Sequence, residues 1–516
     1  MDQNFDEQRW IIHIQRTLDE DLEEQSDEIP VSIFNIPKTL MLHSPDSYIP
    51  QQVALGPYHH WRPELYEMER YKLSSAKRFR KQIQKEQSLK LQNLVDHLTK
   101  SEPMFRACYH KYINLNGETI AWMMAVDSSF LLEFLQIFVK ESKISSADNG
   151  IIKDILMLEN QIPLFSLTKM LEFQLGSLDE AKNTLYAMLM TFCKEILPFK
   201  MTQELNNVHE VMSCAHLLDL LYLLIIPKSE RSTQTMLEAE EQETEKFEEN
   251  NFLKIISNLR KAPVSLTKRI LISKPVQFML TLPCKIISNL PGVILVKQFE
   301  YFCFSQEKET TENGNNINQP PFMEEIEIPS VIELLRAGIN FSAINEGIFS
   351  IKFDEKMATF YLPTIILHLS TEVALRNLVA YESCSESGPL IFTRYIELMN
   401  GIIDTKEDAK FLREKGIVLN HLKSDEDVAN LWNGMSRSIR LTKVPFLDKV
   451  IEEVNNYYNG RWKVRIGKFM AQHVFGSWQS LTLMAVITLL FLMSLQVFCS
   501  MFSCGRLFQH HHTRMN

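Results

Sequence analysis

Residues 154–165 read DILMLENQIPLF, and this stretch indicates most clearly how the chain folds. Four apolar residues share one face of a helix: Ile155, Leu158, Ile162 and Phe165. Pro163 lacks an N–H and clashes with the carbonyl four residues earlier, so it interrupts that helix. The polar run Glu159, Asn160 and Gln161 could satisfy the freed carbonyls. We therefore predict a helix over 151–174, kinked at Pro163, with a buried polar network that has a structural purpose or, alternatively, forms a ligand site.

Residues 48–60 read YIPQQVALGPYHH and end in two adjacent histidines. A turn is predicted at Gly56, Pro57 and Tyr58, with the tyrosine and one histidine packed inward. His59 and His60 would point in different directions on a helix or a strand. Sharing a metal would therefore need an unusual turn and a third ligand from elsewhere. A structural corner is the first interpretation, and a catalytic or metal role is the second.

No other motif predicts catalysis, a metal site or a cofactor. In HEVMSCAH at 209–216 the histidines lie seven residues apart, whereas a metalloprotease helix needs them four apart. The eight cysteines include no C-x-x-C pair, which favours buried, reduced thiols in a cytosolic domain. We predict a protein that is not an enzyme; the alternative is a hydrolase or transferase built around His59, His60 and Glu159.

The two quoted stretches resemble a plant family known as domain of unknown function 247. YIPQQVALGPYHH is similar to the opening signature of that family, and DILMLENQIPLFSL is similar to its most characteristic segment. Further similar segments lie at 126–135, 215–222, 328–341, 370–382 and 398–412. MAVDSSF departs from the family, which usually has Asp-Gly-Cys before the phenylalanine. The resemblance implies a plant, membrane-anchored, mostly helical protein with no established enzymatic activity.

Residues 481–502, LTLMAVITLLFLMSLQVFCSMF, contain no charged residue and no proline. As a helix they would extend about 33 Å, enough to cross a hydrocarbon core of about 30 Å. We predict a single membrane span that runs from Leu481 to Phe502. A basic collar precedes it: Arg461, Lys463, Arg465 and Lys468. Only Arg506 and Arg514 follow it, so the positive-inside rule places the N-terminal body in the cytosol.

The composition favours helix and gives no sign of nucleic-acid binding. The chain has 516 residues, of which 45% are hydrophobic and only 16 are glycine, the residue that costs a helix most apart from proline. The formal charge of −10 provides no basic footprint for a nucleic acid. Within a variable region, residues 251–304 combine basic and apolar side chains. This segment predicts contact with anionic lipid, or alternatively a poorly ordered insertion or a flap over the core.

These patterns predict a mainly α protein: a helical cytosolic body with a small β-hairpin element at 349–363, and one C-terminal transmembrane helix. The helices predicted in the body include those at 178–197, 208–226, 370–383, 405–415 and 444–472. We divide the chain into five segments. Residues 1–28 form an acidic amphipathic helix, 29–227 the first helical part of the body, and 228–327 a variable insertion. Residues 328–472 form the second helical part of the body, and 473–516 the anchor. The expected partners are a bilayer and an unidentified protein, and the expected function is contact-based signalling or recognition.

Overall fold

The structure is a computed structural model that describes residues 30–87, 91–141, 148–200, 207–231, 326–385, 388–435, 442–461 and 478–501, together with Ile11 and Gln15. The chain divides into two compact units. The first contains residues 1–238 and 325–454, and the second contains 239–324 and 455–516. Several predictions lie outside the described residues: most of the helix at 1–28, the lipid contact at 251–304, the collar residues Lys463, Arg465 and Lys468, and the span end Phe502.

The first unit begins with a segment rich in turns, residues 30–62, which we call the N-terminal strap. Ten described helices belong to the strap or follow it before residue 231: α1 (Lys38–His43), α2 (Tyr66–Gln87), α3 (Leu91–Thr99), α4 (Glu102–Ala107), α5 (Gly117–Glu141), α6 (Asn149–Ile155), α7 (Leu164–Leu175), α8 (Leu178–Ile196), α9 (Val208–Met212) and α10 (Leu217–Ile225). Helix α5 is apolar on most sides and packs against α2, α3, α7 and α8, so it forms the centre of this half.

The predicted single helix over 151–174 is wrong. Helix α6 ends at Ile155, residues Leu158–Asn160 form one 3₁₀ turn, and Pro163 is the N-cap of α7. Proline disfavours the helical conformation in the residue before it, and the chain is already extended at Gln161, with ψ of 151°. The proline thus separates two helices instead of kinking one.

The predicted helix over 208–226 is also divided into two helices. Residues 213–216 separate α9 from α10, and His216 is the N-cap of α10. Its ring nitrogen Nδ1 accepts the backbone N–H of Asp219 at 3.1 Å. A side chain that accepts this N–H replaces the intrahelical bond that a helix start lacks, which is why the apolar run breaks here.

The second half of the first unit mixes helices with short strands. In chain order its elements are α11 (Val331–Arg336), β1 (Asn340–Ile344), β2 (Lys352–Asp354), β3 (Thr359–Pro363), β4 (Ile365–Leu367), α12 (Thr371–Ser385), α13 (Ile391–Ile402), α14 (Lys406–Glu414), β5 (Val418–Asn420), α15 (Asp425–Asn433) and α16 (Pro445–Gly460), whose last turns belong to the second unit. The antiparallel pair of β2 and β3 confirms the predicted hairpin. The mainly α prediction is confirmed as well.

Two parallel strand pairs were not predicted. Strand β1 pairs with β3 in parallel, which gives a three-stranded sheet in the order β1-β3-β2. Strand β4 pairs in parallel with β5, which lies after three further helices in the chain. Strands β4 and β5 have three residues each, too few to show a period in the sequence, so only their tertiary pairing defines them.

In the second unit, the structure describes the end of α16, Arg461 and a long helix, α17 (Trp478–Met501). The predicted helix over 444–472 therefore ends at Gly460 within the described residues. Helix α17 contains the predicted span from Leu481 as far as Met501.

Candidate functional site

A group of buried polar side chains holds the N-terminal strap against the helices of the first unit. We call this group the polar clamp; its members are Asp127, Asp154, Glu159, Asn160 and Gln161. Asp154, at the end of α6, accepts three consecutive backbone N–H groups, from Gln51, Gln52 and Val53, at 3.0, 2.6 and 2.8 Å. Burial raises the pKa of the Asp154 carboxyl, and the three N–H groups oppose that rise.

Asn160 and Gln161 satisfy the backbone groups that the broken helix leaves open. Asn160 accepts the N–H of Leu55 at 2.7 Å and donates to the carbonyls of Val53 and Asp154 at 2.9 and 3.0 Å. Gln161 donates to the carbonyls of Ile155 and Met157 at 2.6 and 2.8 Å. The predicted buried polar network is thus present, and these amide hydrogen bonds are all made within the protein itself.

Glu159 joins the strap at two points. Its Oε1 accepts the N–H of Ile36 at 2.8 Å, and its Oε2 lies 3.1 Å from Nε2 of His59. The exposed fractions are 8% for Glu159 and 5% for His59. This pair is therefore sealed within the packing and is not presented to solvent.

Asp127, in the middle of α5, lies beside Lys72 of α2. The distance from Lys72 Nζ to Asp127 Oδ1 is 2.6 Å, and Lys72 also donates to Glu69 at 2.5 Å and to the carbonyl of Ala54 at 2.9 Å. Oδ2 of Asp127 accepts the N–H of Gly56 at 2.8 Å. Burial alone would lower the pKa of Lys72, but the two carboxylates raise it; burial also raises the pKa of Asp127, against the opposing effect of Lys72.

The Gly-Pro-Tyr turn is a structural corner. Gly56 has a φ of +68°, and a Cβ at this position would lie 2.6 Å from the hydroxyl of Tyr109. Tyr58 accepts the N–H of Lys111 at 2.8 Å and donates to the carbonyl of Ile33 at 3.2 Å. Burial raises the pKa of Tyr58 to about 12. The turn therefore needs glycine both for its backbone conformation and for its close approach to the tyrosine.

We expect Gly56→Ala to destabilise the protein by about 3 kcal/mol or more. The left-handed backbone costs a residue with a Cβ about 1–2 kcal/mol, and the contact with Tyr109 adds to that. The measurement is the free energy of unfolding of the full chain in urea.

The matched control for this change is Gly416→Ala. Gly416 also has a positive φ, +71°, but a Cβ there would meet nothing within 4 Å. It should therefore lose only the backbone part, about 1–2 kcal/mol. Adding Tyr109→Phe should cost less in the Gly56→Ala background than in the wild type. Equal losses for the two alanine variants would contradict the steric explanation.

Helix α12, which follows the insertion in the chain, is tied to the same region. Asn377 accepts the N–H of Leu158 at 2.9 Å and donates to the carbonyl of Ser47 at 2.8 Å. Glu382 accepts the hydroxyl of Tyr222 on α10 at 2.7 Å. The two parts of the body are thus joined by buried hydrogen bonds as well as by apolar packing.

His216 provides a measurable pH dependence. Its Nε2–H donates to the carbonyl of Ser32 at 2.9 Å while Nδ1 accepts from Asp219, so the ring is held as one neutral tautomer. Burial lowers its pKa, although Asp219 acts in the opposite direction. Below a pH of about 6.5 the unfolded chain binds a proton here that the folded chain resists, so stability falls as pH falls.

We expect His216→Asn to reduce that fall between pH 6.5 and 5. Asparagine can still cap α10, but it does not titrate. The contribution that disappears is at most about 1.4 kcal/mol per pH unit. Urea unfolding at four pH values measures it, and an unchanged slope in the variant would contradict the assignment.

The remaining predicted site residues do not join one centre. His60 is partly exposed and lies edge-on to Trp61, with 4.6 Å between the ring centroids. It lines a cavity of about 370 Å³, which neither His59 nor Glu159 lines. Arg461 lies over the ring of Tyr457 at 4.6 Å, in the second unit. Among the described residues, no group of three His, Cys, Asp or Glu side chains is placed to hold a metal ion.

Sequence analysis missed several polar residues that this site needs: Lys72, Asp127, Asp154, Asn377 and Glu382. The sequence does carry a signal for two of them. Asp127 follows the apolar run WMMAV and Asn377 lies within LRNLVAY, and a polar residue inside an apolar helix is usually buried with a partner. Partners such as Gly56 for Asp127 and Ser47 for Asn377 are 71 and 330 residues away in the chain, and no local pattern indicates them.

The fold and the clamp define a class of mainly helical protein in which buried carboxylates and amides hold an N-terminal strap. The chain belongs to the plant family called domain of unknown function 247, a plant protein of unknown function, whose signature matches residues 33–492. It is 47% identical over 515 residues to a UPF0481 protein of Arabidopsis thaliana; the alignment covers 97% of this chain and 96% of that protein. A second UPF0481 protein of Arabidopsis thaliana is 22% identical over 478 residues, covering 90% and 85%. No solved structure matches the chain.

Proposed function

We propose that this protein is held in a membrane by α17 and acts through protein–protein contacts in signalling or recognition, not as an enzyme. Helix α17 is the observation that carries the proposal. Its 24 residues extend about 36 Å, enough to cross a bilayer. Large apolar side chains along its middle are 53–64% exposed: Val486, Ile487, Leu489, Leu490, Phe491, Leu492 and Met493. Such a surface favours lipid over water.

Helix α5 provides a useful contrast. Among the described helices, α5 is also long and apolar enough to cross a membrane. However, 61% of its most apolar 18-residue stretch is buried inside the protein. Its apolar residues already have partners in the core, and it carries Asp127 in an internal ion pair. The apolar length of α5 is therefore explained by packing, whereas that of the middle of α17 is not.

The orientation rests on the flanking charges. The four bases of the collar precede α17, and only two arginines follow it. Cytoplasmic flanks carry the excess of lysine and arginine, so we place the body on the cytosolic side. Protease treatment of sealed microsomes tests this placement: a tag before residue 1 should be digested and a tag after residue 516 should be protected.

Alkaline carbonate extraction of the full-length protein tests the anchor. We expect the wild type to stay in the membrane fraction and a variant that lacks residues 478–501 to be released. Leu489→Lys/Leu490→Lys should also be released, because each lysine at the centre of a span costs about 2.5–3.5 kcal/mol. Leu489→Ile/Leu490→Ile is the matched control and should stay. Release of the wild type would contradict the proposal.

The geometry of the histidines supports contact-based action more than chemistry. The alternative hydrolase or transferase needs His59, His60 and Glu159 to converge in an open pocket. One pair lies close together but is buried, and His60 lines a separate cavity. Proximity labelling with and without residues 481–502 tests the contact-based function. A set of labelled proteins that does not change on loss of the anchor would contradict it.

The basic segment 251–304 supplies a second proposed membrane contact, which rests on its sequence alone. If it binds anionic lipid, Lys268→Ala/Arg269→Ala/Lys274→Ala should lower the affinity of the full chain for vesicles that contain phosphatidylserine. An unchanged affinity would contradict this contact and leave the role of α17 intact.

A further inference from the structure

A groove of about 590 Å³ runs along the surface of the first unit, between α2 and α5. Phe130, Phe134 and Phe138 lie at four-residue spacing on the side of α5 that lines it. The groove extends from Met68 to Arg78 along α2, which is about 15 Å at 1.5 Å per residue. That length matches about ten residues of a bound helix.

Part of the groove is bare apolar surface. Tyr71 is 58% exposed and Ile137 is 47% exposed, and the two residues line the same groove from opposite helices. An exposed apolar patch with polar edges is typical of a surface that binds another molecule. The patch lies in the first unit and contains no residue of α17.

The edges of the groove are strongly acidic. Five described carboxylates line it: Glu64, Glu67, Glu133, Glu141 and Asp148. Arg78 is the one base among the described lining residues, and it is bound to Glu133 at 2.5 and 2.7 Å. The other four carboxylates have no described cation as a partner. Among the described lining residues, negative charges therefore exceed positive charges by four around an apolar centre.

We propose that this groove binds a basic amphipathic helix from a partner polypeptide. Apolar residues of that helix, at spacings of three and four, would cover Tyr71, Phe134 and Ile137. Lysine or arginine on its flanks would pair with Glu64, Glu67 and the acidic residues at the far end. Laying an amphipathic helix into a groove is a common mode of peptide recognition. The proposal rests on the contact-based function above and names the chemistry of the partner.

The test uses the full-length protein in nanodiscs of phosphatidylcholine. A phage library of random 15-residue peptides is selected on it after depletion on empty nanodiscs. We expect the selected peptides to be basic, with apolar residues at helical spacing. Synthetic copies should bind at least tenfold more weakly to Glu64→Lys/Glu67→Lys, and salt should weaken their binding to the wild type. A selection without such peptides would overturn the proposal.

The matched control is Glu407→Lys/Glu426→Lys. These two glutamates are also exposed and also lie in first turns of helices, so the cost to the helix dipole is similar. They do not line the groove, and peptide binding should be unchanged. A second groove variant, Ile137→Ser, should also weaken binding. Equal binding by the groove variants and the control would overturn the proposal.

Carbonate extraction of the same samples separates this inference from the proposed anchor. A protein that stays in membranes but selects no basic helix would retain the anchor and lose the groove proposal. A protein that selects basic helices but is released by carbonate would retain the groove and lose the anchor.

Discussion

Asp127→Ala should lower the free energy of unfolding by about 3–5 kcal/mol, the loss typical of breaking a buried ion pair by removing one partner. Lys72 has an exposed fraction of 0%, and the change takes away one of its two carboxylate neighbours. The N–H of Gly56 would also lose its acceptor. Urea unfolding of the full chain, followed by tryptophan fluorescence, measures the change.

The same two helices provide the control. Arg78 of α2 and Glu133 of α5 form an ion pair in which the arginine side chain is 57% exposed. Glu133→Ala should therefore cost less than about 1 kcal/mol. The double variant Lys72→Met/Asp127→Leu should cost less than the sum of its two single variants, because it leaves no buried charge alone. A loss for Asp127→Ala that merely equals the loss for Glu133→Ala would show that burial does not govern this pair.

Asn160→Leu should have a similarly large effect, about 3–5 kcal/mol. The two side chains are close in size, so the change removes hydrogen bonds with little change in packing. It leaves the N–H of Leu55 and the carbonyls of Val53 and Asp154 without their partner, inside a region where Asn160 is 0% exposed. Each buried polar group that loses its partner costs about 1–3 kcal/mol.

Asn430→Leu is the comparison for Asn160→Leu. Asn430 is exposed on α15, and a surface change of this kind usually stays within about 0.5 kcal/mol. Hydrogen exchange at Val53 and Leu55 adds a local measurement, since the strap should open more often in Asn160→Leu alone. Unchanged exchange there would show that the amide does not hold the strap.

Local sequence determined much of the helical architecture. The bounds predicted for α8, α12 and α14 lie within two residues of the structure, because apolar spacing and caps are local. The interruption at Pro163 was predicted correctly, but a kink in one helix was predicted where the structure has two separate helices. The kink became a separation because Asn160 and Gln161 bind the carbonyls at the end of α6, which is possible only when the chain leaves the helix there.

The sequence indicated the polar residues of the two quoted motifs, but it did not indicate the distant residues that bind them. Glu159, Asn160 and Gln161 were indicated by polar residues beside an apolar stripe, and Gly56 by its turn. Lys72 is one of several bases on α2, and the sequence does not distinguish it from the others, although its side chain binds Asp127 in the core. Burial of a long cation depends on tertiary packing that no local period contains.

The hydrogen bond between Asn377 and Ser47 has a consequence for biosynthesis. Its partners are 330 residues apart, so the ribosome needs about 16–66 s to make the second one after the first, at 5–20 residues per second. During that time the hydrogen bond from Asn377 to the carbonyl of Ser47 cannot form, and the nascent chain is exposed to chaperones. Truncated products that end before α12 should therefore be recognised as incomplete and degraded, whereas chains that stop after α16 should persist although they lack α17.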